Sequence, residues 1–76
     1  MLSIDTPSDL GQLIRKTRKA LGLSQPQLAL AAGVGVRFIV ELEAGKPTVR
    51  LENVLRVVNA LGGRLIVEGM PPEQEA

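Results

Sequence analysis

Seventy-six residues without a cysteine are enough for one compact domain, but neither a disulfide nor a thiolate metal site supports its core. Hydrophobic residues make up 45% of the chain and the mean hydropathy is +0.17, more apolar material than a monomer of this size hides from water, so oligomerisation is expected. A formal net charge of +1 gives no bulk pull toward a polyanion, and the lack of histidine, cysteine and tyrosine argues against acid–base or nucleophilic catalysis.

Only scattered carboxylates remain as metal ligands, and no glycine-rich phosphate loop is present. Phe38 is the single aromatic residue, so a stacking platform for single strands or RNA bases is missing, which for a nucleic-acid partner favours duplex over single strands. Charge is unevenly placed. Four of the nine cations, Arg15, Lys16, Arg18 and Lys19, fall within five residues, whereas Glu68, Glu73 and Glu75 make the C-terminal end acidic. The cluster reads either as a solvated helix face or as a phosphate-binding patch in which one or two members reach the backbone. The start, MLSIDTPSD, has no basic n-region and no long apolar run, so no signal peptide, membrane span or membrane contact is expected and the chain is placed in the cytoplasm.

A first helix is predicted from about Pro7 to Leu21. Thr6 is its N-cap, Pro7 its first residue and Asp9 a charge near the positive end of its dipole. Leu10, Leu13, Ile14 and Leu21 share a face, and Gly22 ends it. Ser24 opens a second, short helix with Gln27 as capping-box partner, and Gly33-Val34-Gly35 stops it. The third spans Val36 to Ala44, burying Ile39 and Leu42, and closes at Gly45. Thr48 is expected to cap a fourth helix with Leu51, Val54, Leu55, Val58 and Leu61 buried and Gly62 at its end. Arg64-Leu65-Ile66-Val67-Glu68, bounded by Gly63 and Gly69, reads as one strand, and residues 70–76 as a disordered tail. The expectation is a single all-α domain over residues 1–69 with a C-terminal strand and no internal repeat.

The second and third helices, joined through Gly33, make a helix-turn-helix arrangement. Ala29 is small where the helices cross, Gly33 supplies a positive φ, and Val34, Ile39 and Leu42 lock one helix onto the other. Through Leu23-Ser24-Gln25, Leu28-Ala29, Ala32-Gly33-Val34, Ile39, Leu42-Glu43 and Gly45 the sequence resembles the phage-repressor-type (Xre or Cro/CI-like) regulators over residues 8–62. Within them, Gly45-Lys46-Pro47-Thr48-Val49-Arg50-Leu51, then Asn59-Ala60-Leu61-Gly62 and a terminal strand, are similar to HipB-like antitoxins. The resemblance implies a phage-repressor-like four-helix domain that binds double-stranded operator DNA as a homodimer, represses its own operon and joins a HipA-like kinase toxin. No cofactor, metal or small-molecule substrate is expected. A phage or plasmid repressor without a toxin partner, and an interaction module of the same fold that has lost operator binding, are the alternative readings.

Carried onto this sequence, the resemblance makes Gln25 a phosphate contact at the start of the second helix, where free backbone N–H groups would also face DNA; the alternative is a simple capping residue. The third helix would enter the major groove with Gly35, Val36, Arg37, Val40 and Glu41 outward. Arg37 would read guanine or clamp a phosphate, or else pair with Glu41 four residues on. The two valines depart from the polar residues usual in the family and suit thymine methyl groups and shape. Glu41 would accept from cytosine N4, act against wrong bases as a negative discriminator or answer Arg37. Phe38 would pack at the core or its rim or else insert into DNA, Glu43 would accept hydrogen bonds near the hinge, and Lys46 would meet a phosphate.

A lone strand leaves its backbone groups unpaired, and no other segment reads as a strand. Residues Arg64, Leu65, Ile66, Val67 and Glu68 are therefore expected to form a two-stranded antiparallel intersubunit sheet. With the two-fold axis through Ile66, Leu65 faces Val67 of the other subunit and Arg64 faces Glu68. The fallback dimer contact is Val57 and its neighbours on the fourth helix.

Overall fold

Two capping boxes set where the first two helices begin. Thr6 Oγ1 accepts from the Asp9 N–H at 3.1 Å while Asp9 Oδ2 accepts from the Thr6 N–H at 3.1 Å. Ser24 Oγ and Gln27 repeat the arrangement, at 3.1 Å and 2.8 Å. Caps of this kind are worth about 0.5–2 kcal/mol each, a large share for an eight-residue helix. In the computed structural model, which describes residues 3–71, four helices follow in order: α1 (Pro7–Ala20), α2 (Gln25–Ala32), α3 (Val36–Glu43) and α4 (Leu51–Ala60). Gly33 ends α2 at φ 72° and ψ 34°, the left-handed conformation expected of it, and the Val34 N–H then donates to Ala29 O at 3.0 Å.

α3 packs on both α1 and α2, and α4 on α2. The core is Ile14, Leu28, Ala29, Ile39, Leu42, Val54 and Val57, with Phe38, Val34 and Val49 packed at its edge. Gly11 sits where α1 crosses α3: a Cβ there would lie 2.4 Å from Leu42 O and 2.8 Å from Glu43 O. The two backbones approach this closely only because no side chain intervenes.

Several expectations need correction. Leu21 is the C-cap of α1, and lying past the last helical residue it turns outward instead of joining the buried face. Thr48 caps nothing. Val49 is drawn against the core, so the chain turns into α4 only after it, and Arg50 is an N-cap with no side-chain hydrogen bond. The buried stripe of α4 rotates accordingly to Val54 and Val57, with Val58 and Leu61 at its edge, whereas Leu51 is 62% exposed and Leu55 also lies outside. Val57 is fully enclosed within the chain, which removes it as a dimer contact.

Residues 64–68 form no strand. No backbone hydrogen bond joins them to the rest of the described chain, because the fold offers no second strand to pair with. Leu65, Ile66 and Val67 are all exposed, Ile66 at 71%. Of the expected tail, residues 72–76 lie outside the described residues. Among the described residues no helix is long and apolar enough to cross a membrane.

Candidate nucleic-acid interface

α3 presents two unlike faces. Ile39 and Leu42 point into the core, while Val36, Arg37 and Val40 are exposed on the opposite side and Glu41 lies half-buried between. Gly35 is the N-cap in extended conformation and offers no side-chain acceptor. The N–H groups of Val36 and Arg37 therefore have no partner among the described residues. α2 differs from the expectation of free donors at its start: Pro26 has no N–H, and the Gln27 N–H is taken by Ser24 Oγ. Only the Gln25 N–H remains in that turn. The open N-terminus of the motif belongs to α3.

Arg37 is 91% exposed, with its Nε 3.4 Å from Glu41 Oε2, and Lys46 Nζ lies 3.4 Å from Glu41 Oε1. One carboxylate thus stands between two cations, and the group carries a net positive charge. Exposed pairs at this separation are worth about 0–1 kcal/mol, so either cation can be recruited by a phosphate or a base edge at little cost.

Gln25 is tied inward. Its Nε2 donates to Glu43 Oε1 at 3.1 Å, and Glu43 is in turn gripped by Arg18, whose Nε reaches Oε2 at 2.7 Å and Nη2 reaches Oε1 at 3.0 Å. Arg18 Nη1 closes the cluster on Leu23 O at 2.8 Å. The two charged side chains are 9% and 5% exposed. Burial works against ionisation of Glu43, but the hydrogen bonds from Arg18 and Gln25 and the charges of Arg18 and Arg15 outweigh it and hold the carboxyl below its ordinary range. The hydrogen bond to Glu43 raises the Arg18 pKa against the opposing effect of burial.

Glu43 accepts hydrogen bonds near the hinge, as expected. Arg18 does not share the surface reading given to its cluster: it is a buried structural cation, while Arg15, Lys16 and Lys19 are exposed. The missed signal was positional. Arg18 follows Gly11 and Ile14 at helical spacing, so it falls on the buried face of α1, where a charge requires a partner. Phe38 packs beside the core, half-buried. Gly35, Val36, Arg37, Val40, Glu41 and Lys46 lie together on and just after α3, with Gln25 at the adjoining start of α2; Arg64 to Glu68 lie apart, in the segment after α4.

Two short helices joined by a left-handed glycine, the second with its outer face free of packing, define a helix-turn-helix domain. Residues 14–66 match the helix-turn-helix family HTH_3, and the chain belongs to that family. It is 56% identical over 59 residues, 78% of each chain, to an uncharacterized HTH-type transcriptional regulator, y4mF, of Sinorhizobium fredii. Among solved structures it is similar to the restriction-modification controller protein C.AhdI of Aeromonas hydrophila, with TM-score 0.70 and 34% identity, over 76% of this chain and 88% of that one. These relatives establish a transcriptional regulator of the helix-turn-helix type. The HipB-like subgroup rests on residues 45–62 and the segment after them alone.

Proposed function

We propose that the chain is a homodimeric, double-stranded-DNA-binding repressor of the cytoplasm that inserts α3 into the major groove of an operator. The observation that carries this reading is the outer face of α3, where Val36, Arg37 and Val40 are exposed beside unpartnered N–H groups while Ile39 and Leu42 anchor the helix from behind. An approach free of a side chain at Gly35, apolar contact from the valines and a loosely held guanidinium are what shape and base-edge readout require. Gln25 and Lys46 flank this face as phosphate contacts, and Glu41 stands between Arg37 and Lys46, 3.4 Å from each.

The homodimer joins through residues 64–68. They carry three exposed apolar side chains and no backbone partners, and they border an open groove of about 720 Å³ with Ile4, Leu13, Val58 and Leu61. Pairing about Ile66 sets Arg64 against Glu68 of the second copy and supplies the missing ladder. The finer reading, an autorepressing HipB-like antitoxin that binds a HipA-like toxin, follows from the resemblance of residues 45–62.

Titrating a labelled duplex from upstream of the chain's own gene, with a scrambled duplex as control, tests the DNA reading. Tighter binding to the upstream duplex, with log K falling linearly in log salt by about 0.9 per phosphate contact, is the expected result. Equal, negligible affinity for both duplexes would leave the interaction-module reading. Co-purification with the product of the adjacent gene tests the toxin assignment.

A further inference from the structure

We infer that Glu43 is a positioning residue for a DNA-backbone contact, holding the Gln25 amide so that one of its hydrogens stays available to a phosphodiester oxygen. The proposal rests on the DNA reading above and adds a role to a residue that touches no DNA in it. A glutamine side chain at a helix start presents its amide oxygen or its amide nitrogen with equal ease. Only the nitrogen suits a phosphate, which accepts hydrogen bonds and repels a carbonyl oxygen.

Here the choice is made from behind. An ionised carboxylate only accepts, so the 3.1 Å contact between Gln25 and Glu43 Oε1 forces Nε2 inward and leaves its second hydrogen unspent. Glu43 cannot swing away to release it, because Arg18 binds both of its oxygens and is itself fixed to Leu23 O. The cluster spans the end of α3, the last turn of α1, and the turn before α2 together with its first residue. Its open side is a cleft where Gln25 and Arg15 meet Val40 and Ala44, which places the oriented amide beside the outer face of α3 and next to an exposed cation.

The test compares affinity for the upstream duplex at one fixed salt concentration for the wild-type chain, Glu43→Gln, Gln25→Ala and the double variant, each checked for a cooperative melt. A glutamine at position 43 offers Gln25 a donor as well as an acceptor, so the amide is no longer held one way. A neutral amide displaces no counterion, so its contact is read in affinity and not in the salt slope. Gln25→Ala is expected to weaken binding by about 2- to 10-fold in the wild-type chain, the worth of one neutral hydrogen bond, and to have little further effect in the Glu43→Gln chain. The charge that Glu43→Gln adds is common to both chains of that second comparison and cancels in the cycle. An effect of Gln25→Ala that is as large beside Glu43→Gln as beside the wild-type residue marks a merely structural Glu43 and overturns the proposal. So does a Gln25→Ala chain that binds as tightly as wild type. If Glu43→Gln does not fold, the same cycle is run with Glu43→Asp, which keeps the charge against Arg18 and draws the carboxylate back from Gln25 by one methylene. Failure of the wild-type chain to bind duplex removes the DNA reading and this role together; normal binding with additive effects of the two substitutions removes this role alone.

Discussion

The Arg37 side chain is held by a single 3.4 Å contact on a surface where ion pairs are worth little. Arg37→Ala is expected to leave stability within about 0.5 kcal/mol of wild type and to weaken operator binding. If the guanidinium reads guanine, the loss is about 1–3 kcal/mol with relaxed preference at one base pair per half-site; an unchanged preference with a smaller salt slope marks a phosphate clamp. Competition binding with single-base operator variants separates the two outcomes. Gly11 poses the opposite case, a buried residue without a side chain whose replacement disturbs the site. A Cβ 2.4 Å from Leu42 O forces α1 and α3 apart, an overpacking cost of about 1–3 kcal/mol. The gain in helix propensity, about 1 kcal/mol, does not offset it. Gly11→Ala should therefore lower the urea midpoint with little change in slope, and weaken DNA binding through displacement of Glu43. Both residues show what the sequence exposes and what it hides. The Arg37–Glu41 spacing makes a pair four residues apart visible at once. That Arg18 would be buried against a carboxylate 25 residues away depends on how α1 crosses α3, and its spacing from Gly11 and Ile14 marks the face but not the partner.

At the scale of elements, legibility tracks how local the determinant is. The starts of α1 and α2 and the left-handed turn at Gly33 are each fixed by residues within four positions, and each was readable. The start of α4 was not, because the burial of Val49 against distant helices decides it over the capping preference of Thr48. One displaced boundary then rotated the predicted stripe and hid the enclosure of Val57. The segment 64–68 is the limiting case, since the partner that would make it a strand is not in the chain. Ending the chain after Gly63 is expected to leave α1 to α4 folded, with the helical circular dichroism and cooperative melt retained. The same truncation should abolish dimer formation in sedimentation and weaken operator binding in parallel. A truncated chain that remains an equally tight dimer would move the interface elsewhere on the molecule.

Across the whole molecule, one buried ion pair joins α1 to α3 and, through the Gln25 amide bound to it, α2, so its titration is felt globally. Glu43 is lowered from its ordinary value of 4.5 in the folded chain. Between the two values the unfolded chain binds more protons than the folded one, so stability rises with pH there. The contribution is complete above 4.5 and is lost as the pH falls through the lowered folded value. Urea midpoints collected across that acid range should show a limb that Glu43→Gln flattens. Arg18→Met, which strands a buried carboxylate, should cost about 3–5 kcal/mol at neutral pH, close to the whole stability of a small domain. Leu65, Ile66 and Val67 lie beyond the last helix, outside the core that the monomer closes for itself. Folding and pairing are then separate equilibria, and only the second depends on how much protein is present. For the homodimer proposed above, operator occupancy below the dissociation constant of the pair follows the square of chain concentration, so a twofold dilution lowers it about fourfold. Three exposed aliphatic side chains would in that way serve as the molecule's gauge of its own abundance, and a polar residue in place of Ile66 would reset the concentration at which the promoter switches.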